Sequence, residues 1–197
     1  MVIRAGEPWG EPGRPPGSIP VAADEAALGD LWVGGVREAV LESGTLRSST
    51  GTATTDLRLR AEVDAILVEL RGPQGRSVVP VFGTMVIGTA PFGARIAAIV
   101  TNSGFWRTRR VVPAAHPNDG TLDVLEVAPG MVLAQRYLAW RRSVRFDHLP
   151  HPDLVVRRGT EWTWTGSPCT AWVDGRRVGR VAHVGCSVRA DAMRVWL

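Results

Sequence analysis

From Asp56 onward the chain alternates residue by residue. Leu57, Leu59, Ala61 and Val63 take one side, and Arg58, Arg60, Glu62 and Asp64 take the other. A period of two belongs to a strand with one face buried, because successive side chains leave a strand in opposite directions. Residues 66–70 continue the pattern, and Gly72-Pro73-Gln74-Gly75 turns the chain into a strand at 78–82. Further short strands are predicted at 85–88, 96–101, 122–127, 154–157, 162–165, 170–173, 184–188 and 193–196. The 96–101 segment is apolar on both faces, which predicts a central position. Many short strands separated by turn residues confine the chain to a mainly β fold, a sandwich or a curled sheet. One long helix is predicted after Pro129-Gly130. There Val132, Leu133, Tyr137 and Trp140 fall on one face, with Arg136, Arg141 and Arg142 mostly opposite.

The N-terminal part reads differently. Residues 1–20 are rich in proline and glycine and read as an extended arm. Asp24 and Glu25 open a short alanine-rich helix at 22–28, and residues 36–42 read as another helical turn, ended by Gly44. Residues 43–52 are a polar, glycine-punctuated loop. Residues 78–100 are the least polar stretch, but Pro80, Gly83, Gly88, Pro91, Gly93 and Arg95 interrupt them. Two strands are therefore expected there rather than a membrane span. No signal peptide is read at the N-terminus, so the expectation is a soluble, cytoplasmic chain without a transmembrane segment.

Charge narrows the chemistry. All 23 basic residues are arginine, so neither a Schiff-base lysine nor a phosphate-loop lysine is available. A sequence pI near 10.3 favours anionic partners such as lipid, nucleotide or nucleic acid, although arginine-rich codon usage explains the balance equally well. A nucleic-acid role rests on charge alone and has no motif behind it. If folding gathers the arginines near 107–110 with those near 141–145, they form an anion-binding face. Cys169 and Cys186 lack metal-ligand spacing and are expected as buried thiols. His148 and His151 lie in a proline-flanked loop where no helix aligns them for zinc. No Gly-x-Ser-x-Gly elbow supports a hydrolase.

Two acidic turns carry most of the remaining information. Asn118-Asp119-Gly120 precedes the strand beginning at Leu122, and Asp174-Gly175 follows Trp172-Val173. Such dipeptides suit hairpin corners where the backbone visits positive φ.

The order of these pieces resembles the C-terminal β-rich domain of the diacylglycerol kinase and sphingosine kinase superfamily, in its bacterial lipid-kinase branch. The matching features are Asn102, the turn from Pro117 to Val124, the arginine-rich stretch around Arg136 to Arg145, His151-Pro152 and Asp174-Gly175. The resemblance implies a β-sandwich-like domain of lipid-kinase type at 56–197, with one long helix. It also implies an arm and a reduced α/β nucleotide-side remnant at 1–55. By resemblance, Asp119 offers a carboxylate to Mg2+, with backbone carbonyls of His116 and Thr121; the alternative is that Asp119 only caps its hairpin.

Two departures bear on activity. The family's Gly-Gly-Asp-Gly-Thr nucleotide loop is missing. Its nearest analogues lie at 43–46 and 49–52, where Ser43, Gly44, Ser49, Thr50 and Gly51 are the candidate phosphate contacts, with no acidic residue for magnesium-nucleotide. The family's base position falls on Arg176, and an arginine cannot accept a proton from a hydroxyl. Asp174, two residues away, is the remaining catalytic candidate. The expectation is a catalytically degenerate lipid-kinase-like protein, doubtful as an ATP binder, that binds an anionic small molecule, a lipid, a protein partner or a second copy. The alternative is an atypical ATP-dependent lipid kinase.

Overall fold

The computed structural model describes residues 9–50, 58–89 and 95–197. In chain order the N-terminal part supplies β1 (Glu11–Gly13), β2 (Val21–Ala22), α1 (Glu25–Val33), β3 (Glu38–Leu41) and α2 (Thr45–Thr50). Next come β4 (Arg58–Gly72), β5 (Gly75–Val81), β6 (Thr84–Gly88), β7 (Ile96–Thr101), β8 (Phe105–Trp106), β9 (Arg109–Arg110) and β10 (Leu122–Val127). The last elements are α3 (Leu133–Arg142), a 3-10 turn (Ser143–Arg145), β11 (Leu154–Gly159), β12 (Glu161–Val173) and β13 (Arg176–Trp196).

The fold is mainly β, as the alternation predicts, with few helices. The main path of its large sheet runs β1-β4-β13-β12-β6-β7-β10-β11, and β2, β3 and β5 join it from the side. β7 lies between β6 and β10, the central place its two apolar faces require. Along β6, β7 and β10 the alternation sorts side chains cleanly. Met85, Ile87, Val100 and Val124 enter one core, whereas Val86, Ile99 and Leu125 enter another. The two sets mark the two faces of the sheet, and α3 covers the second through Ala139 and Trp140.

Two long strands replace several predicted short ones. β12 joins the 162–165 and 170–173 segments, with a register shift between Thr165 and Cys169. β13 joins 184–188 and 193–196, with a bulge against β4 between Arg189 and Met193. Asp64 holds that bulge: its fully buried carboxylate accepts the backbone N–H of Asp191 at 2.9 Å.

Three local expectations are corrected. Residues 36–42 contain a strand, β3, rather than a helical turn. β3 pairs in parallel with β2 and with the end of β13, so its partners decide its state. Residues 45–50 are the helix α2, not loop. On α3 the predicted apolar face is buried only at Trp140, which packs inward beside Ala139, while Val132, Leu133 and Tyr137 face solvent. The β2–α1–β3 unit shares a core with the following strands, because Leu28, Leu41 and Leu46 pack with Val63, Phe82 and Val195. Both cysteines are free and buried, and burial pushes the Cys186 thiol up to about 12. Among the described residues, no helix is long and apolar enough to cross a membrane.

Candidate functional site

The β12–β13 turn is built from two residues in left-handed backbone, Asp174 at φ 44° and Gly175 at φ 82°. The Asp-Gly pair supplies this geometry locally. Its consequence is distant. The Asp174 carboxylate accepts backbone N–H groups of Phe82 (3.1 Å), Gly83 (3.0 Å) and Thr84 (2.7 Å), closing the β5–β6 turn. The Asp174 N–H in turn donates to the Thr84 carbonyl at 2.9 Å. Residue 83 must be glycine here, since a Cβ would stand 2.9 Å from Asp174 Oδ1 and 2.8 Å from Thr45 Oγ1. Burial pushes Asp174 up to about 7, against the pull of the Thr84 N–H, and the Glu25 carboxylate pushes the same way.

Asp174 borders a cavity of about 270 Å³, walled by Trp106, Trp172, Thr84 and Thr45, with Glu25 beside it. Arg176, at the expected base position, does not line this cavity. Its guanidinium lies on the surface and pairs with Asp30 of α1 at 2.7 Å.

The predicted phosphate loop meets Glu25 instead of solvent. Glu25 is buried, and its Oε1 accepts the Leu46 N–H at 2.8 Å and the Thr45 hydroxyl at 3.0 Å. A carboxylate at the first turn of α2 thus satisfies the Leu46 amide, one that an incoming phosphate would need. Gly44, at φ 130°, passes so close to that carboxylate that any Cβ would collide with it. The hydroxyls turn inward as well. Ser43 donates to the Ala23 carbonyl at 2.6 Å and Ser49 to the Leu46 carbonyl at 2.6 Å. Thr50 ends α2, and Gly51 lies outside the described residues.

The Asn118-Asp119-Gly120 turn is pinned from three sides. Asp64 accepts the Gly120 N–H at 2.8 Å, with Gly120 at φ 69°. One Asp119 oxygen accepts the Thr121 N–H at 3.0 Å and also the Thr121 hydroxyl. The other is 2.6 Å from the Arg158 guanidinium, which reaches Asp123 at 3.3 Å as well. Burial pushes Asp123 up to about 6, with Arg158 opposing. His116 packs edge-on against Trp9 at 5.1 Å and accepts the Asn118 N–H at 3.3 Å; burial lowers its pKa. Arg158 thus already supplies the positive charge that the Asp119 and Asp123 carboxylates require. The turn as built fits a guanidinium rather than a divalent ion. Among the described residues, no group of three or more His, Cys, Asp or Glu side chains is placed to hold a metal.

Asn102 links the two turns. Its N–H donates to the Gly83 carbonyl at 3.0 Å, and its side-chain amide donates to the Asp64 carbonyl at 2.7 Å. The structure therefore joins Asp174, Asp119 and Thr121 into one hydrogen-bonded framework, and leaves Arg176 outside it. Glu25, Asp64 and Arg158 escape the sequence reading, since each acts on residues far along the chain.

No protein-family model matches the chain, and no curated protein matches it. Among solved structures, a protein from Bacillus anthracis str. Sterne assigned as a diacylglycerol kinase is similar, with a TM-score of 0.53 at 10% identity over 81% of this chain and 68% of that one. The fold is a lipid-kinase-like one. A second diacylglycerol kinase structure from the same organism matches at a TM-score of 0.49 and 10% identity, covering 81% and 66% of the two chains. The chain spans about two-thirds of the length of these proteins. The lipid-kinase-like fold is shared; the residues within it are this chain's own.

Proposed function

We propose that this chain is a catalytically degenerate member of the lipid-kinase group that binds an anionic ligand or partner. The observation that carries this reading is Glu25. A buried carboxylate occupies the Leu46 amide and the Thr45 hydroxyl of α2, and Asp174 stands beside it, so a nucleotide phosphate placed there meets two acids and no lysine. Arg176 at the base position cannot take a proton from a lipid hydroxyl, and loss of a positioned base alone costs on the order of 10²–10⁴ in rate. A role for Mg2+ at Asp119 would require displacing Arg158 from that carboxylate. A cytoplasmic location belongs to the same proposal.

The anionic ligand is favoured by the gathering of Arg109, Arg141, Arg142 and Arg145 around one surface hollow. One observation favours the second reading, an atypical lipid kinase: Asp174, pushed up to about 7, borders a cavity. A transfer assay separates the two. With magnesium-ATP and diacylglycerol in mixed micelles, the degenerate reading predicts no phosphatidic acid above a protein-free blank. Product that forms and then disappears in Asp174→Asn would establish the kinase.

A further inference from the structure

The outer side of α3 and the turn after it is a surface without a partner. Leu133, Tyr137, Leu138, Val144 and Phe146 are 47–60% exposed, although each is large and apolar. Soluble surfaces scatter such residues singly; here five fall within fourteen positions of α3 and the turn after it. Phe146 is held there at φ 62°, a backbone region that bulky residues rarely adopt, and it still projects outward.

The charges around the patch are mostly positive. Residues 132–146 contain four arginines and no acid. Arg136 is used internally, donating to carbonyls of Met131, Ile96 and Ala128. Arg141, Arg142 and Arg145 face solvent, and with Arg109 they border a hollow in which Asp147 is the single acid. The helix is anchored from below: Trp140 contacts Trp106 at 4.7 Å, and Arg109 stacks on Trp140 at 3.8 Å. A helix fixed on its inner side, apolar with aromatic rings on its outer side and ringed by arginine matches the chemistry of a bilayer interface. Apolar side chains enter the boundary region, and guanidinium groups meet anionic headgroups.

We infer that this α3 face docks on an anionic lipid bilayer surface. The inference rests on the anionic-ligand reading above and names its ligand as lipid in a membrane. A protein groove would need acids opposite the arginines and a counter-surface for every exposed side chain; a leaflet of anionic lipid offers both without specific shape.

The test is co-sedimentation of the full chain with vesicles of phosphatidylcholine alone or with added phosphatidylglycerol. The expected result is strong binding to the phosphatidylglycerol vesicles, weak binding to phosphatidylcholine, and loss of binding as salt rises. Replacing Arg141, Arg142 and Arg145 together by Gln should weaken partitioning on the order of 100-fold. Tyr137→Ser with Phe146→Ser should weaken it with the salt dependence kept. All five side chains are exposed, so thermal melts of these variants should match the parent. Equal or absent binding to both vesicle types, or binding unmoved by either variant, overturns the inference. A parallel titration with soluble glycerol phosphate separates the two levels. If glycerol phosphate binds and vesicles do not, bilayer docking fails and the anionic-ligand reading stands; if neither binds, both fail. A concentration-dependent dimer broken by Leu138→Glu would assign the face to a second copy, and also overturns the inference.

Discussion

Asp174 is both the best-placed acid in the molecule and one whose oxygens are already committed. Three backbone N–H groups of the Phe82–Thr84 turn donate to it, and burial raises it to about 7. Its folded value lies above the 3.8 of an ordinary aspartate, so the native state holds the proton more tightly than the unfolded chain does. The stability this confers is complete below about 3.8 and is lost as pH rises through about 7. Asp123 and Asp64 are shifted in the same direction, so the difference between parent and variant isolates Asp174. Asp174→Asn places an amide against one backbone N–H and should cost about 1–3 kcal/mol near pH 4. That cost should shrink toward pH 8. Urea unfolding across the range checks it, and a cost independent of pH would contradict the assignment.

Elements in this fold are joined by single polar side chains at their ends. Arg136 ties α3 to the sheet through the Ile96 carbonyl and to the β10–α3 connection through those of Met131 and Ala128. Arg136→Met keeps the aliphatic stem and loses the donors, and should cost about 2–3 kcal/mol in urea unfolding. Lysine should restore only part, because one ammonium cannot reproduce a planar fork. A change under about 0.5 kcal/mol would mean that packing at Ala139 and Trp140 alone holds the helix. The strands were legible in the sequence because period two leaves little ambiguity at residues 58–64, and the run at 96–101, apolar on both faces, points to a central strand. The helix position was legible too, but its buried face was not. The amphipathic rule assumes that the most apolar stripe points inward, and here Ala139, Trp140 and the Arg136 stem do the docking. Residues 36–42 misled for a different reason: a short apolar run takes its state from its neighbours, and β3 finds parallel partners on both sides. At the site, both acidic turns were legible because Asn-Asp-Gly and Asp-Gly shape the backbone locally. Glu25, Asp64 and Arg158 were not, since their partners lie 21, 56 and 39 positions away.

At the scale of the whole molecule, a lipid-kinase-like fold carries a site rebuilt with this chain's own charges. Glu25 accepts the Leu46 amide at the start of α2, Arg158 stands between the Asp119 and Asp123 carboxylates, and Arg176, expected by resemblance at the base position, pairs with Asp30 on the surface. In the first two places a charged group of this chain already takes the position that an incoming phosphate or cation would occupy. Four arginines, Arg109, Arg141, Arg142 and Arg145, border one hollow beside α3, next to the exposed apolar residues of that helix. Nucleotide binding therefore decides between the two readings. Magnesium-ATP titrated into the purified chain by calorimetry should give only heat of dilution up to millimolar nucleotide. Saturable binding in the micromolar range would contradict the degenerate reading, because Glu25 would then have to leave the Leu46 amide to admit a phosphate.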